Sequence, residues 1–310
     1  MGHSSHPRHT PSKARHPLAL VVDGSGMLGA ILARRLQGSG WRTASLDLPE
    51  DEAGLSVFQP ESVEDCVEKT RPDAIINAVL WPAIDKAEFH PEEARGLLRE
   101  LPECLGRLAG ERGIQLVHYS TSYVFDGKKG APYTEKDAPN PINTLGRAKA
   151  EADQSLLCMG LEKLLIIRLG WVFGPSRGTI NDLLDAAEDK GFLAMAQDIY
   201  GSPAYAPDIA AATLALLETG ASGLINFANR GEANICELGA EALRLANRPA
   251  VAVGIESSRL NLAARRPPYS VLDTSLYTQT TGLTPRPWIH ALREYVFSGF
   301  LDSLAPLPPV

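Results

Sequence analysis

Three short stretches of this sequence hold residues able to do chemistry. Thr121-Ser122-Tyr123 sets three hydroxyls in a row at the end of the apolar run that starts at Gln115. In Asn143–Glu151, Lys149 follows Leu145 by four residues, which puts both side chains on one face of a helix. An ammonium within reach of hydroxyls can serve as an acid, a base or an electrostatic clamp on a carbonyl compound. Asp23-Gly24-Ser25-Gly26-Met27-Leu28-Gly29 is a glycine-rich turn, and the N–H groups of such a turn can face an anion. The four cysteines are scattered without a CxxC pair, so no metal site is expected and free thiols in the cytoplasm are.

The surrounding patterns say what positions these residues. Leu18–Val22 is an unbroken apolar run, as expected of a strand buried on both faces. The glycine turn follows, and Ala30–Leu36 then has helical spacing. Thr43–Asp47 reads as a second strand ending in an acid about 20 residues after the turn, the spacing at which an acid accepts from a ribose hydroxyl. The glycines fit GxGxxG at Gly24, Gly26 and Gly29. They also fit the second half of GxxGxxG, in which case Asp23 takes the place of the first glycine and its carboxylate would repel a pyrophosphate. Strands at 73–78, 115–121 and 164–169 alternate with helices, including a long one from Pro91 to Gly113. The expected fold is therefore α/β, a Rossmann-type doubly wound parallel sheet with a smaller C-terminal substrate-binding lobe. Residues 17–175, completed by about 196–220, form the first unit, and 176–195 with 221–305 form the lobe. The lobe is expected to include a helix from about 180 to 190, residues 223–228, a helix at 235–246, residues 251–255 and a helix from 288 to 297. Residues 1–16, with four of the seven histidines, read as a disordered tail, and the Pro-rich end at 306–309 as frayed.

The bulk numbers exclude several classes of function. A formal net charge of −7 argues against a nucleic-acid partner, and no apolar run is long enough to span a bilayer. A small-molecule substrate is expected, and association as a homodimer or with a partner enzyme stays open.

Several rarer strings occur together and in order. They are Ser120–Gly127, Tyr133–Pro139, Gly201-Ser202-Pro203 with Pro207–Ala210, and Arg266-Pro267 with Leu272–Ser275. Together they resemble the dTDP-4-dehydrorhamnose reductases, which are extended short-chain dehydrogenases, from about residue 18 to 297. That resemblance implies reduction of a 4-keto group on a dTDP-sugar with NADH or NADPH. It implies that Thr121 hydrogen-bonds the substrate oxygen and that Lys149 is the family lysine. The family's proton-donating Tyr falls on Leu145, and its first glycine falls on Asp23. The acid that contacts adenine falls on Ser56, and the Asn of the proton relay falls on Leu98. Trp81 and Pro82 stand where the nicotinamide half of the cofactor would lie.

The cofactor side therefore departs from the family while the substrate side keeps its strings. The fold allows NAD(P) at Gly24, Gly26, Met27, Leu28, Gly29 and Asp47, but the replacements argue against its use. Thr121, Ser122, Tyr123 and Lys149 are the candidate catalytic residues, and Tyr123 is placed on Thr121's side of an extended segment. Trp81, Leu145, Tyr205, Asp208 and Arg266 are the candidate substrate contacts. His118 is expected to be a satisfied strand residue. The leading reading is an enzyme repurposed for non-redox chemistry, such as elimination, cyclisation, epimerisation or condensation, on a small carbonyl or sugar-nucleotide-like intermediate. One alternative is an NAD(P)-dependent reductase with an altered proton donor. Another is a non-catalytic regulatory subunit, a use already made of this fold by the regulatory beta subunit of methionine adenosyltransferase, which is similar to the same reductases.

Overall fold

The computed structural model describes residues 16–50, 56–81, 84–175 and 179–303. Residues 1–15 of the expected tail at 1–16 and the Pro-rich end lie outside them. Six parallel strands form the central sheet: β1 (Leu18–Val22), β2 (Arg42–Leu46), β3 (Ala74–Asn77), β4 (Gln115–Thr121), β5 (Leu164–Leu169) and, later in the chain, β10 (Gly223–Phe227). Their order is β10-β5-β4-β3-β1-β2. Of the inner strands, β1, β3 and β5 are buried throughout, which accounts for their largely apolar sequences, and β4 is buried except at its two ends. The strand order reverses between β1 and β3, and in such sheets ligands bind outside the carboxyl ends at that reversal. The glycine turn leaves β1 there, and Asn77–Trp81 leaves β3.

The helices covering the sheet are placed by local rules. α1 (Met27–Gly38) starts directly after Gly26 and buries Leu28, Leu32 and Leu36 at four-residue spacing. α2 (Pro60–Thr70) carries Pro60 in its first turn, where no N–H is needed. After the short α3 (Ile84–Phe89), one helix runs from α4 (Pro91–Arg95) into α5 (Leu101–Arg112) through a π turn at Gly96–Glu100. Leu101 N–H donates to Gly96 O across that turn. Pro102 explains the wider turn, because it has no N–H to give the carbonyl four residues back. The turn drives Leu97 and Leu98 against α6 (Thr144–Cys158). Asn143 caps α6 by accepting from Gly146 N–H at 2.7 Å.

β6 (Trp171–Phe173) leads into the second part of the chain. α7 (Thr179–Asp189), β7 (Phe192–Ala196), the short β8 (Tyr200–Gly201) and β9 (Pro203–Tyr205) follow, and then α8 (Ala206–Glu218) returns to pack on α1. β11 (Ala233–Asn234), α9 (Ile235–Leu245) and β12 (Val251–Ile255) complete the lobe; β12 pairs with β7. α10 (Ser275–Thr281) and α11 (Trp288–Ser303) end the described chain.

One expected boundary is corrected. Residues 223–227 were assigned to the lobe, but β10 pairs in parallel with β5 as the edge strand of the main sheet. Its buried Ile225 and Phe227 belong to the main core, where Tyr277 of α10 packs edge-on against Phe227. α8 is thus the crossover helix of a sixth strand.

Candidate functional site

α6 presents Leu145, Ala148, Lys149, Ala152, Asp153 and Leu156 to the sheet. An inward Lys and Asp need partners, because unpaired buried charge is costly. Lys149 Nζ donates to Tyr119 O of β4 at 2.7 Å and lies fully inside. Burial brings its ammonium down to about 8, with Asp153 opposing the shift. Asp153 accepts from Ser120 Oγ at 2.6 Å and from Arg168 Nη2 at 3.2 Å. Glu151 instead pairs outward with Arg99. The face that would present the lysine to a ligand is therefore tied to main chain and to a buried ion pair.

Leu145 is buried in the same apolar cluster as Leu98, and Trp81 packs against that cluster. Burying a leucine side chain is worth about 1.5–3 kcal/mol. The position is part of the core, where Leu145, expected as a ligand contact, packs. His118 is only half satisfied. One ring nitrogen meets Asn77 Nδ2 at 3.2 Å, while Nε2 has no hydrogen-bond partner. Burial, and next the charge of Lys149, pushes its pKa well below the usual value.

β4 ends at Thr121, and Ser122–Val124 form a single 3₁₀ turn. Thr121 Oγ1 caps that turn by accepting from Tyr123 N–H at 3.3 Å. The expected extended segment is thereby corrected, and Thr121 and Tyr123 are not strand neighbours on one side. Ser122 Oγ is buried with no partner, as is Trp81 Nε1. Burial raises the Tyr123 phenol, with Arg266 and then Trp171 opposing. The Trp171 N–H lies beside that hydroxyl but short of a well-formed hydrogen bond. Trp171 also packs so closely on Gly201 that a side chain there would overlap its ring.

A roof joins these pieces. Arg266 pairs with both oxygens of Asp85 on α3, at 3.0 and 2.9 Å, and Ala264 N–H donates to the same carboxylate at 2.7 Å. Although burial opposes ionisation of Asp85, Arg266 and these N–H groups hold its pKa below the usual range. Asn143 Nδ2 donates to Arg265 O, and Glu88 accepts from the N–H and hydroxyl of Thr144. The start of α6, α3 and residues 264–266 are thus fastened together beside Tyr123. Trp171 and Asp85 escaped the sequence reading. The Trp that follows Arg168-Leu169-Gly170 at the end of β5 was an available signal. No sequence signal pairs Asp85 with Arg266, which lies 181 residues away.

Tyr205 and Asp208 stand in a different cluster. Tyr205 is buried and stacks on Phe173, with Tyr295 adjoining both rings. Asp208 accepts from Arg286 Nε at 2.8 Å and from Asn229 Nδ2 at 2.6 Å. Asn229 Oδ1 accepts in turn from Tyr205 N–H. In the structure both expected substrate contacts help fasten the start of α8 to the lobe. A cavity of about 570 Å³ between α7 and α11, lined by Leu184, Leu245, Arg248 and Tyr295 among others, is also separate from the cleft residues.

At the glycine turn, Asp23 has φ +60, so it is the residue at the first-glycine place that takes the left-handed conformation. The GxxGxxG register is therefore the one the backbone follows. A side chain at Gly29 would overlap Asp23 O, and one at Gly26 would overlap the Asp23 carboxylate. Asp47, expected to face a ribose, accepts instead from Ser25 N–H at 2.8 Å and Ser45 Oγ at 2.9 Å. Burial works against its ionisation, yet those donors hold its pKa below the usual value. Leu28 faces the main core, which leaves its backbone alone available to a ligand; Met27 is half-buried and lies near Gly174. Among the described residues no cluster of His, Cys, Asp and Glu could hold a metal, and no helix is long and apolar enough to cross a membrane.

Comparisons with known proteins agree on the family. The family model described as the RmlD substrate binding domain matches residues 19–299. A "dTDP-4-keto-6-deoxy-D-glucose reductase" of Streptomyces niveus is 30% identical, over 89% of this chain and 95% of its own length. A "Probable dTDP-4,6-dihydroxy-2-methyloxan-3-one 4-ketoreductase" of Streptomyces antibioticus is 31% identical, over 94% of this chain and 97% of its own. The crystal structure of a dTDP-4-dehydrorhamnose reductase from Bacillus anthracis in complex with NADP superposes with a TM-score of 0.84. It covers 92% of this chain and 100% of its own, and at 22% identity it bears on the fold alone.

Proposed function

The chain belongs to the RmlD substrate-binding-domain family, and from that premise we propose that it binds a nucleotide-linked sugar beneath the Asp85–Arg266 roof and acts on it by non-redox carbonyl chemistry. The relatives' names support the ligand class, since both are reductases of dTDP-linked keto sugars. The chemistry rests on one observation: Leu145 is packed into the core at the place of a proton-donating phenol, with Lys149 bonded to Tyr119 O behind it. Hydride delivery to a carbonyl needs a proton at the oxygen, and general-acid help of that kind is worth roughly 10²–10⁴ in rate. Neutral donors such as Ser122, Trp81 and Trp171 can polarise a carbonyl without giving up a proton. Polarisation acidifies the C–H of the adjacent carbon, so that its proton can pass to solvent water, the first step of epimerisation or elimination.

Two other readings have support of their own. The relatives' names favour a surviving NAD(P)-dependent reductase. The engagement of Lys149 with main chain favours a subunit that binds a sugar nucleotide without turning it over. One experiment separates the three. The protein is incubated in D₂O with dTDP-4-keto-6-deoxy-D-glucose, with and without NADPH, and followed by NMR. The expected result is deuterium next to the carbonyl, or a new keto product, without NADPH. Stoichiometric NADPH oxidation to a 4-hydroxy sugar would overturn the proposal in favour of the reductase. Binding with no change in the sugar would overturn it in favour of the subunit.

A further inference from the structure

The glycine turn carries a feature that the sugar cleft does not use. In a turn of this kind the glycine at position 26 lets backbone approach a pyrophosphate, and the N-terminus of the following helix favours an anion. Here the chain supplies its own anion. Asp23 reverses back over the turn in the left-handed region, and its carboxylate fills the space above Gly26. The charged groups that face it are Asp47 from the end of β2 and Glu50 from the segment that follows, and both are acidic. Among the described residues no cation pairs with Asp23. Ser25 N–H, which leads toward the same space, is already taken by Asp47. The residues present therefore do not fit a dinucleotide pyrophosphate while Asp23 is ionised.

We propose that Asp23 is a built-in block on the dinucleotide groove: its carboxylate holds the pyrophosphate place by charge and by volume, and this one side chain sets the rejection of NAD(P). The block is electrostatic in large part, so protonation lifts it as substitution does. Burial, reinforced by Asp47 and Glu50, pushes Asp23 up to about 6. Its charge is then fully present at pH 8 and lost as the pH falls through 6.

The test is calorimetric titration of the full chain with NAD⁺ and NADPH, comparing wild type with Asp23→Asn and Asp23→Gly. Both replacements tolerate positive φ, so both variants are expected to fold, with melting temperatures equal to or above that of wild type. At pH 8 each variant should bind NAD⁺ at least about tenfold more tightly than wild type, because a like charge beside the pyrophosphate is removed. Wild-type affinity for NAD⁺ should rise by about the factor gained by the variants as the pH falls from 8 to 5, whereas Asp23→Asn should show no such rise. Wild type binding NAD⁺ or NADPH at pH 8 as tightly as either variant would overturn the block, and so would variants that bind no better than wild type. Sugar-nucleotide turnover is not part of this readout, so the block and the proposed chemistry of the cleft stand or fall separately.

Discussion

On the β1–β2 side of the sheet's carboxyl edge the chain's own groups fill the available places. Asp47 holds Ser25 and Ser45, Asp23 lies over Gly26, and every glycine of the turn has the chain's own atoms where a side chain would go. On the β3–β5 side they do not. Trp81 Nε1 and Ser122 Oγ are buried without partners, and the Trp171 N–H stops short of Tyr123. A buried polar group left unpaired costs roughly 1–3 kcal/mol, so each of these groups calls for a partner. The difference teaches where a ligand belongs. Asp23 and Asp47 crowd the glycine turn, whereas Trp81 and Ser122 keep buried donors without partners, and that contrast is what the proposed sugar site and cofactor block rest on.

Four changes would break or sharpen that contrast. The largest effect is expected at the buried pair behind the cleft. Asp153→Ala leaves Arg168 and Lys149 without their counter-charge and should cost roughly 3–5 kcal/mol in denaturant unfolding; a loss below 1 kcal/mol would mean that this face is not held by charge. Next is Gly29→Ala, whose added carbon overlaps Asp23 O. It should cost about 3 kcal/mol and lower the melting temperature, and a neutral result would show that the turn is not closed on itself. Trp81→Phe should do the reverse of a core mutation. It removes an unpaired buried donor, so stability should hold or rise by about 1 kcal/mol, while sugar-nucleotide affinity falls about tenfold. Equal loss of both would make Trp81 a packing residue.

The smallest effect carries a pH signature. Asp23 has its pKa raised in the fold from 3.8 to about 6, so the folded chain takes up its proton more readily than the unfolded chain does. Its ionisation therefore costs stability as pH rises from about 4 to 6, and the cost is complete above 6. Partial exposure reduces it to roughly 1–2 kcal/mol. Asp23→Asn should stabilise the chain by that amount at pH 8 and by nothing at pH 4, as measured by unfolding at the two values. A stabilisation that does not depend on pH would assign the effect to the backbone.

Patterns written along the chain were legible in its sequence, and contacts across the chain were not. Apolar runs marked strands such as Leu18–Val22 and Leu164–Leu169, and the glycine spacing marked the turn but left two registers open, between which the positive φ of Asp23 decides. Edge strand β10 was misassigned because half-buried, mixed residues such as those of Gly223–Phe227 look alike in a lobe and at the rim of a sheet. Asp47 was legible as an acid at the right spacing, but nothing local says that it turns inward to Ser25. The same holds for Arg266 with Asp85, and for Lys149, whose partner is a main-chain carbonyl that no motif records. Tyr205 and Asp208 were placed by resemblance, and their ring stack and ion pair with Arg286 show a structural duty that the string alone does not reveal.

Titrating the wild-type protein at pH 8 with a dTDP-sugar and, separately, with NADPH tests the central claim most directly. Saturable dTDP-sugar binding, weakened by Trp81→Phe, together with no saturation by NADPH is the result predicted by an open sugar half and a closed cofactor half. Saturation by NADPH with no response to the dTDP-sugar would contradict it.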